Sequence, residues 1–322
     1  MSMSELPHWF VLTLCVGLGL LFGSFLNVVI YRLPREESVS FPGSRCPACQ
    51  TPIKPYDNIP VLSWLVLRGR ARCCGASIPP RYPVVELLGG LLAWGVLEMR
   101  IFPFETELSV AHGLGLFAAY LALGLGLLAA AAIDLEHMFL PDPITLGGAV
   151  LGLATVPLRH GMDFPEAIGA TVLGFVVVWF PFIWLYEKVR GFPGMGLGDA
   201  KLLALSGAWF GWFGVVFVLF AGALQGTLVA MTVLLTKGKL EEPEAVREER
   251  RAWQEAIEAA EGAEREALER ELAADPIGHE PGEGLGQARL AFGPFLVLAC
   301  LELLLFQEPL QTWLTQLLWV TE

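Results

Sequence analysis

Apolar runs of membrane length recur along the chain, separated by short polar segments. A helix that crosses a bilayer needs about 20 consecutive apolar residues. Residues 9–30, 82–101, 108–133 and 167–186 meet or approach that length, and 144–158 and 290–306 are shorter. The run 202–236 holds 35 residues without a charge, too long for one span, and predicts two short helices broken between Gly211 and Gly214. The pattern therefore predicts an all-α polytopic membrane protein of about eight transmembrane helices. Gly89-Gly90 and Gly124-Leu125-Gly126 fit close helix packing in lipid, where small residues let backbones approach.

Composition agrees: 54% of the 322 residues are hydrophobic, 17% are charged, and mean hydropathy is +0.56. The net charge of −12 is mostly local, because residues 237–288 hold 15 of the 33 acidic residues and 7 of the 21 basic ones. The protein carries one acidic insert, and its charge gives no footing for nucleic acid. The insert is rich in helix formers with i,i+4 charge pairs, which predicts one or two solvated helices and a Gly/Pro-rich tail around 281–286. A solvated hairpin is the plain reading, and partner docking is the sharper one. The N-terminus shows Glu5 and His8 but no Lys or Arg before the first apolar run, unlike a cleaved signal.

Basic residues set the orientation. The loop 31–81 holds Arg32, Arg35, Arg45, Lys54, Arg68, Arg70, Arg72 and Arg81, so it is expected on the cytoplasmic side and the N-terminus outside. By alternation 102–107 and 159–166 fall outside, with Arg159 their one basic residue, and 187–201 falls inside. The domain plan is a first transmembrane helix (1–30), a cytoplasmic loop domain (31–81), a transmembrane bundle (82–236), an acidic cytoplasmic helical insert (237–288) and a last transmembrane helix with its tail (289–322).

Ionisable residues at membrane depth are functional candidates. Asp134 ends the third run in AAAIDLEHMFLPD, and Asp199 opens the sixth in GMGLGDAKLL. Two spans lie between them, and an even number of crossings returns the chain to the same face. Two carboxylates held together share a proton, so that one can act as a base on water while the other polarises a carbonyl. The glycines at 194, 196 and 198 leave a backbone that an extended substrate could approach. A helix cap is the structural alternative for each Asp, and Asp142 resembles a turn or cap residue. Cys15 and Cys300 sit in apolar runs as small hydrophobes, whereas Cys46, Cys49, Cys73 and Cys74 sit in the polar loop, where paired spacing suggests a metal or a disulfide.

These residues together resemble the type IV prepilin peptidases, bifunctional leader peptidases and N-methyltransferases of the GxGD aspartyl protease family. The stretches are GSFLNVVIYRLP (23–34), CPAC (46–49), YDNIPVLSWLVLRGR (56–70), RYPVVELLGG (81–90), IDLEHMFLPD (133–142), GMGLGDAKL (194–202) and FGPFLVLA (292–299), in order. The resemblance covers nearly the whole chain except 237–288. It implies an inner-membrane enzyme that removes the leader of type IV prepilins or type II secretion pseudopilins at the cytoplasmic face, with Asp134 and Asp199 catalytic. It implies N-methylation of the new N-terminus from S-adenosylmethionine, whose binding residues the sequence does not assign. Asn27, Arg32, Asp57, Asn58, Arg81, Tyr82 and Glu86 are polar groups within the matching stretches, and interfacial anchoring or loop hydrogen bonding accounts for most of them. Lys201 lies near enough in sequence to tune Asp199.

Members with this loop usually carry CxxC twice as a structural zinc site. Here Ala71 stands where the third cysteine is expected, Cys74 matches the fourth, and Cys73 is additional. Zinc on all four cysteines is the leading expectation, since a tight turn can make neighbouring thiols converge. A three-cysteine site, no metal and a redox pair are the alternatives; a stable disulfide is disfavoured in a reducing cytoplasm. A protease-only member and a non-catalytic membrane scaffold remain as alternative functions.

Overall fold

The computed structural model describes residues 2–104, 106–159, 161–191, 193–237, 244–274 and 291–319. The described residues form helices and turns, with isolated β-bridges and no strand. The helices are α1 His8–Arg32, α2 Leu62–Val66, α3 Arg81–Val96, α4 Val110–His137, α5 Asp142–Ala154, α6 Phe164–Val178, α7 Tyr186–Arg190, α8 Leu197–Lys237, α9 Glu244–Ala259, α10 Gly262–Ala274 and α11 Gly293–Trp319. A π-turn, Leu97–Ile101, extends α3, and another, Trp179–Leu185, joins α6 to α7. Among the described residues, five helical segments are long and apolar enough to cross a membrane: His8–Arg35, Val110–His137, Phe164–Arg190, Leu197–Thr236 and Gly293–Leu317.

This is fewer than the apolar runs predict, for identifiable reasons. Helix α5 has 13 residues, only about 20 Å of rise against a core of about 30 Å. Helix α3 and its π-turn carry Arg81, Glu86, Glu98 and Arg100. Helix α8 is continuous in hydrogen bonding but kinks at Gly211, whose φ of 64° is left-handed. That is the break the long uncharged run predicts. A side chain at Gly211 would be strained there and would run into the Glu166 carboxylate.

The chain divides into two compact units. The first holds α1 to α3, α4 up to Ala129, and α11 beyond Cys300. Its central contact is α1 against α3. Gly19 lies directly on the backbone of Gly89, and a methyl group at Gly23 would come within 2.9 Å of Glu86 Cα. Backbones this close gain dispersion contact that larger residues would prevent, as expected for helices in lipid. The loop between α1 and α3 is organised by short-range bonds. Trp64 Nε1 donates to Ile78 O at 3.0 Å, and Arg72 pairs with Asp57 at 2.9 Å.

The second unit holds the rest of α4, α5 to α10, and α11 up to Cys300. Here α8 is central, packing on α6 through close approaches of Gly174 to Leu203 and Gly207 to Ala170. It packs on α5 where Trp209 Nε1 donates to Gly148 O at 2.8 Å. The acidic insert contributes α9 and α10, and its Gly/Pro-rich tail around 281–286 lies outside the described residues.

Candidate active site and cysteine cluster

Asp134 occupies the last turn of α4 and Asp199 the first turn of α8. Both belong to the second unit. Their residues are only 5% and 8% exposed, which is unusual for carboxylates with no ion pair among the described residues. They lie close enough for the charge of Asp134 to act on Asp199. Helix α4 stops just past the first aspartate because Met138 takes a left-handed φ of 55° while its N–H bonds Asp134 O at 2.9 Å. The chain then returns through Leu140 and Pro141 into α5.

Three glycines shape the surroundings of the pair. The Gly196 N–H reaches the Asp199 carboxylate. Gly198 packs on Leu140, where a methyl group would sit 2.9 Å from its Cβ. Gly293 opens α11 with its amide facing Asp134. A methyl group there would come within 2.5 Å of Asp134 Oδ2 and 3.1 Å of Leu140 Cδ1. Asp134 Oδ2 itself is buried with no well-formed hydrogen bond. A buried carboxyl oxygen left open beside a second carboxylate is where a water can donate a hydrogen bond, or from which the protonated carboxyl can donate to a carbonyl.

Two details differ from the sequence reading. Lys201 forms its salt bridge with Asp142, tying the start of α5 to α8, instead of pairing with Asp199. Gly194 is used for packing, its N–H bonding Phe182 O at 2.8 Å, so Gly196 is the glycine of the run that faces the aspartate. Sequence reasoning missed Gly293 as part of the site. Its signal was a Gly-Pro pair opening an apolar helix, too common to single it out.

In the first unit the four loop cysteines converge. Each offers a sulfur, and all four sulfurs lie within 4.8 Å of one another. Cys46 Sγ is 3.7 Å from Cys74 Sγ, Cys49 Sγ is 3.3 Å from Cys73 Sγ, and Cys73 and Cys74 are 3.9 Å apart. Sulfurs on a tetrahedral zinc at about 2.3 Å would be about 3.8 Å apart, so the cluster fits such an ion. All four are free thiols. Hydrogen bonds from Thr51 pull the Cys49 thiol down to about 6. The bond to Cys49 pushes Cys73 up to about 12.

The convergence comes from two turns with the same backbone. Residues Arg45 and Pro52 bridge across the first and Arg70 and Ser77 across the second. The Cys46 N–H bonds Thr51 O at 2.9 Å, and the Ala71 N–H bonds Ala76 O at 2.8 Å. Gln50 and Gly75 N–H close the turns onto Cys46 O and Ala71 O, each at 2.8 Å, with left-handed φ of 57° and 74°. Ala71 is therefore the positional equivalent of Cys46, and Cys74 of Cys49. Cys73 supplies the fourth sulfur from a position that is Ala48 in the first turn.

Residues 18–99 match the bacterial peptidase A24 N-terminal domain, and residues 121–231 match the type IV leader peptidase family. A prepilin leader peptidase/N-methyltransferase of Stutzerimonas stutzeri is 38% identical over 258 residues, covering 73% of this chain and 84% of the relative. The chain belongs to the type IV leader peptidase family. Proteins of the same name from Aeromonas hydrophila (37% identical, 72% of this chain, 86% of the relative) and Myxococcus xanthus strain DK1622 (40%, 74% and 69%) support the same placement. No solved structure matches the chain. The first family segment contains the cysteine cluster and the α1–α3 contact, and the second contains both aspartates.

Proposed function

We propose that this chain is an intramembrane aspartyl endopeptidase that removes the leader of type IV prepilins or type II secretion pseudopilins at the cytoplasmic face. The same chain then N-methylates the new N-terminus. The observation that carries the peptidase is the buried pair Asp134 and Asp199, held within electrostatic reach in one unit. The relatives' names carry the second activity. In the reaction, one carboxylate takes a proton from water as the water attacks the scissile carbonyl. The other carboxyl donates a hydrogen bond to the carbonyl oxygen, and the amine leaves with a proton from the pair. With no side chain at Gly196, where a methyl group would meet only Asp199 Oδ2 at 3.6 Å and the Gly198 nitrogen at 4.0 Å, an extended peptide can lie near Asp199; Gly198 instead makes room for Leu140.

The protein is a multi-pass membrane protein of the inner membrane. Counting Arg81–Ile101 and α5 as spans, and splitting α8 at Gly211, returns the eight-helix topology with the N-terminus outside. Eight basic residues in 31–81 support a cytoplasmic loop. S-adenosylmethionine supplies the methyl group.

Cys46, Cys49, Cys73 and Cys74 would hold a zinc ion, which when bound would tie the two turns of a loop that has little apolar core. Purified wild type is expected to carry about one zinc per chain, as four thiolates satisfy one tetrahedral ion. Cys73→Ser should lose most of it, and Ala71→Cys combined with Cys73→Ala should regain it by restoring symmetric turns. Unchanged zinc content in Cys73→Ser would remove Cys73 from the ligand set.

Coexpression with a type IV prepilin, followed by mass measurement of the pilin, tests both activities at once. The expected product lacks its leader and carries one extra methyl group. A product without the methyl mass leaves a protease-only enzyme, and an uncleaved precursor overturns the proposal.

A further inference from the structure

Between α1 and α3 the first unit buries two polar side chains to which the peptidase reaction assigns no role. Glu86, 8% exposed, sits one turn into α3 against the backbone of Gly23. Its Oε2 accepts one hydrogen bond, from the Val61 N–H at 2.7 Å. Among the described residues it forms no ion pair with a Lys, Arg or His. A carboxylate offers about four acceptor sites, so a single backbone donor leaves acceptor capacity for a ligand. Asn27, 3% exposed, follows Gly23 by one turn on α1. Its Nδ2 donates to Tyr82 O at 3.2 Å and Gly23 O at 3.5 Å. Two carbonyl partners fix which end of the amide is nitrogen, so Oδ1 is the atom left over, and it is buried without a partner.

Asn27 Oδ1 is an unpartnered acceptor, and Glu86 is a carboxylate with acceptor capacity to spare. A ligand that completes them must bring several N–H donors and a positive charge. Water could bond to both but would leave the carboxylate uncompensated, which is costly in a buried place. An apolar chain would leave Asn27 Oδ1 orphaned and the carboxylate charge uncompensated. A compact ammonium group fits: three donors on one cationic nitrogen. The N–H of Val61, held at a left-handed φ of 62°, anchors the carboxylate from the loop side.

We infer that Asn27 and Glu86 form a receptor for an α-ammonium group used in the methylation step. This rests on the N-methylation reading above. Two α-amino groups, each an ammonium when it binds, take part in that reaction: the one on the methionine moiety of the methyl donor, and the one on the freshly exposed pilin N-terminus, which gives up a proton to water before its nitrogen takes the methyl group as the S–CH3 bond breaks and S-adenosylhomocysteine leaves. The site stands in the unit of the cysteine loop, and the aspartates stand in the other.

The test uses full-length wild type, Glu86→Gln and Asn27→Leu, purified and matched for thermal melting. Glu86→Gln keeps the acceptor for Val61 and removes the charge. Methylation is measured by mass as the ratio of methylated to cleaved pilin, and S-adenosylhomocysteine binding by calorimetry. Both variants are expected to lower the ratio at least tenfold. If the donor's ammonium occupies the site, S-adenosylhomocysteine affinity falls at least tenfold, while 5′-methylthioadenosine, which lacks the amino acid, binds all three proteins alike. If the pilin's ammonium occupies it, S-adenosylhomocysteine affinity holds and KM for cleaved, unmethylated pilin rises. Variants that methylate and bind as wild type does overturn the receptor alone. Wild-type product without the methyl mass overturns the methylation reading, and the receptor with it.

Discussion

Asp134→Asn and Asp199→Asn are each expected to lower leader cleavage by roughly 10³-fold or more, the range of losing an acid–base group at the reacting bond. The Asn side chain keeps size and shape but can neither take a proton from water nor hold the shared one. Because the two carboxylates act as one unit, the double variant should lose little beyond either single one. Coexpressed prepilin, followed by mass, reads the result directly. Cleavage surviving either substitution would sink the aspartyl mechanism and favour a non-catalytic membrane scaffold.

The same substitutions separate catalysis from folding. Asp134 Oδ2 is buried with no well-formed hydrogen bond. Burying a carboxylate next to another costs stability that the site retains for function. Asp134→Asn removes a buried ionisable group beside Asp199, so the variant should melt at or above the wild-type temperature while being inactive. An inactive variant that also melts well below wild type would point to a structural role for Asp134.

Much of this was legible in the chain. The uncharged run 202–236 was too long for one helix, and its glycines placed the break that occurs at Gly211. The aspartates were singled out by parity of crossings and ordered motifs, arguments that depend on order along the chain and not on distance. The relation of Ala71 to Cys73 was visible as a departure from paired CxxC spacing. What stayed hidden depends on contacts between distant segments. Lys201 sits two residues after Asp199, yet it pairs with Asp142 across α5 and α8. Glu86 reads as an interfacial carboxylate until Val61 is seen to donate to it. Helix α5 already read as short from hydropathy, and its hydrogen bonding ends after 13 residues, still fewer than the run suggests.

Gly293 is the clearest case of a site residue without a local signature, and its substitution gives the second large effect. A methyl group at this position would lie 2.5 Å from Asp134 Oδ2, 3.0 Å from its Cγ and 3.1 Å from Leu140 Cδ1. Leu140 is itself pressed against Gly198. The wall cannot yield freely, so the carboxylate must, by about 1 Å, a misplacement that can cost roughly 10²-fold in rate. Gly293→Ala should therefore cut leader cleavage about a hundredfold by that reasoning, chiefly in kcat, since no contact to the leader is removed. Gly17→Ala is the matched control. A methyl group there meets nothing within 4 Å, and a helical Gly→Ala change at an open site is neutral or mildly stabilising, by up to about 1 kcal/mol. If Gly293→Ala cleaves as fast as Gly17→Ala, Asp134 is not held by the start of α11. The open carboxyl oxygen of Asp134 would then need another explanation than a site shaped for the reacting water.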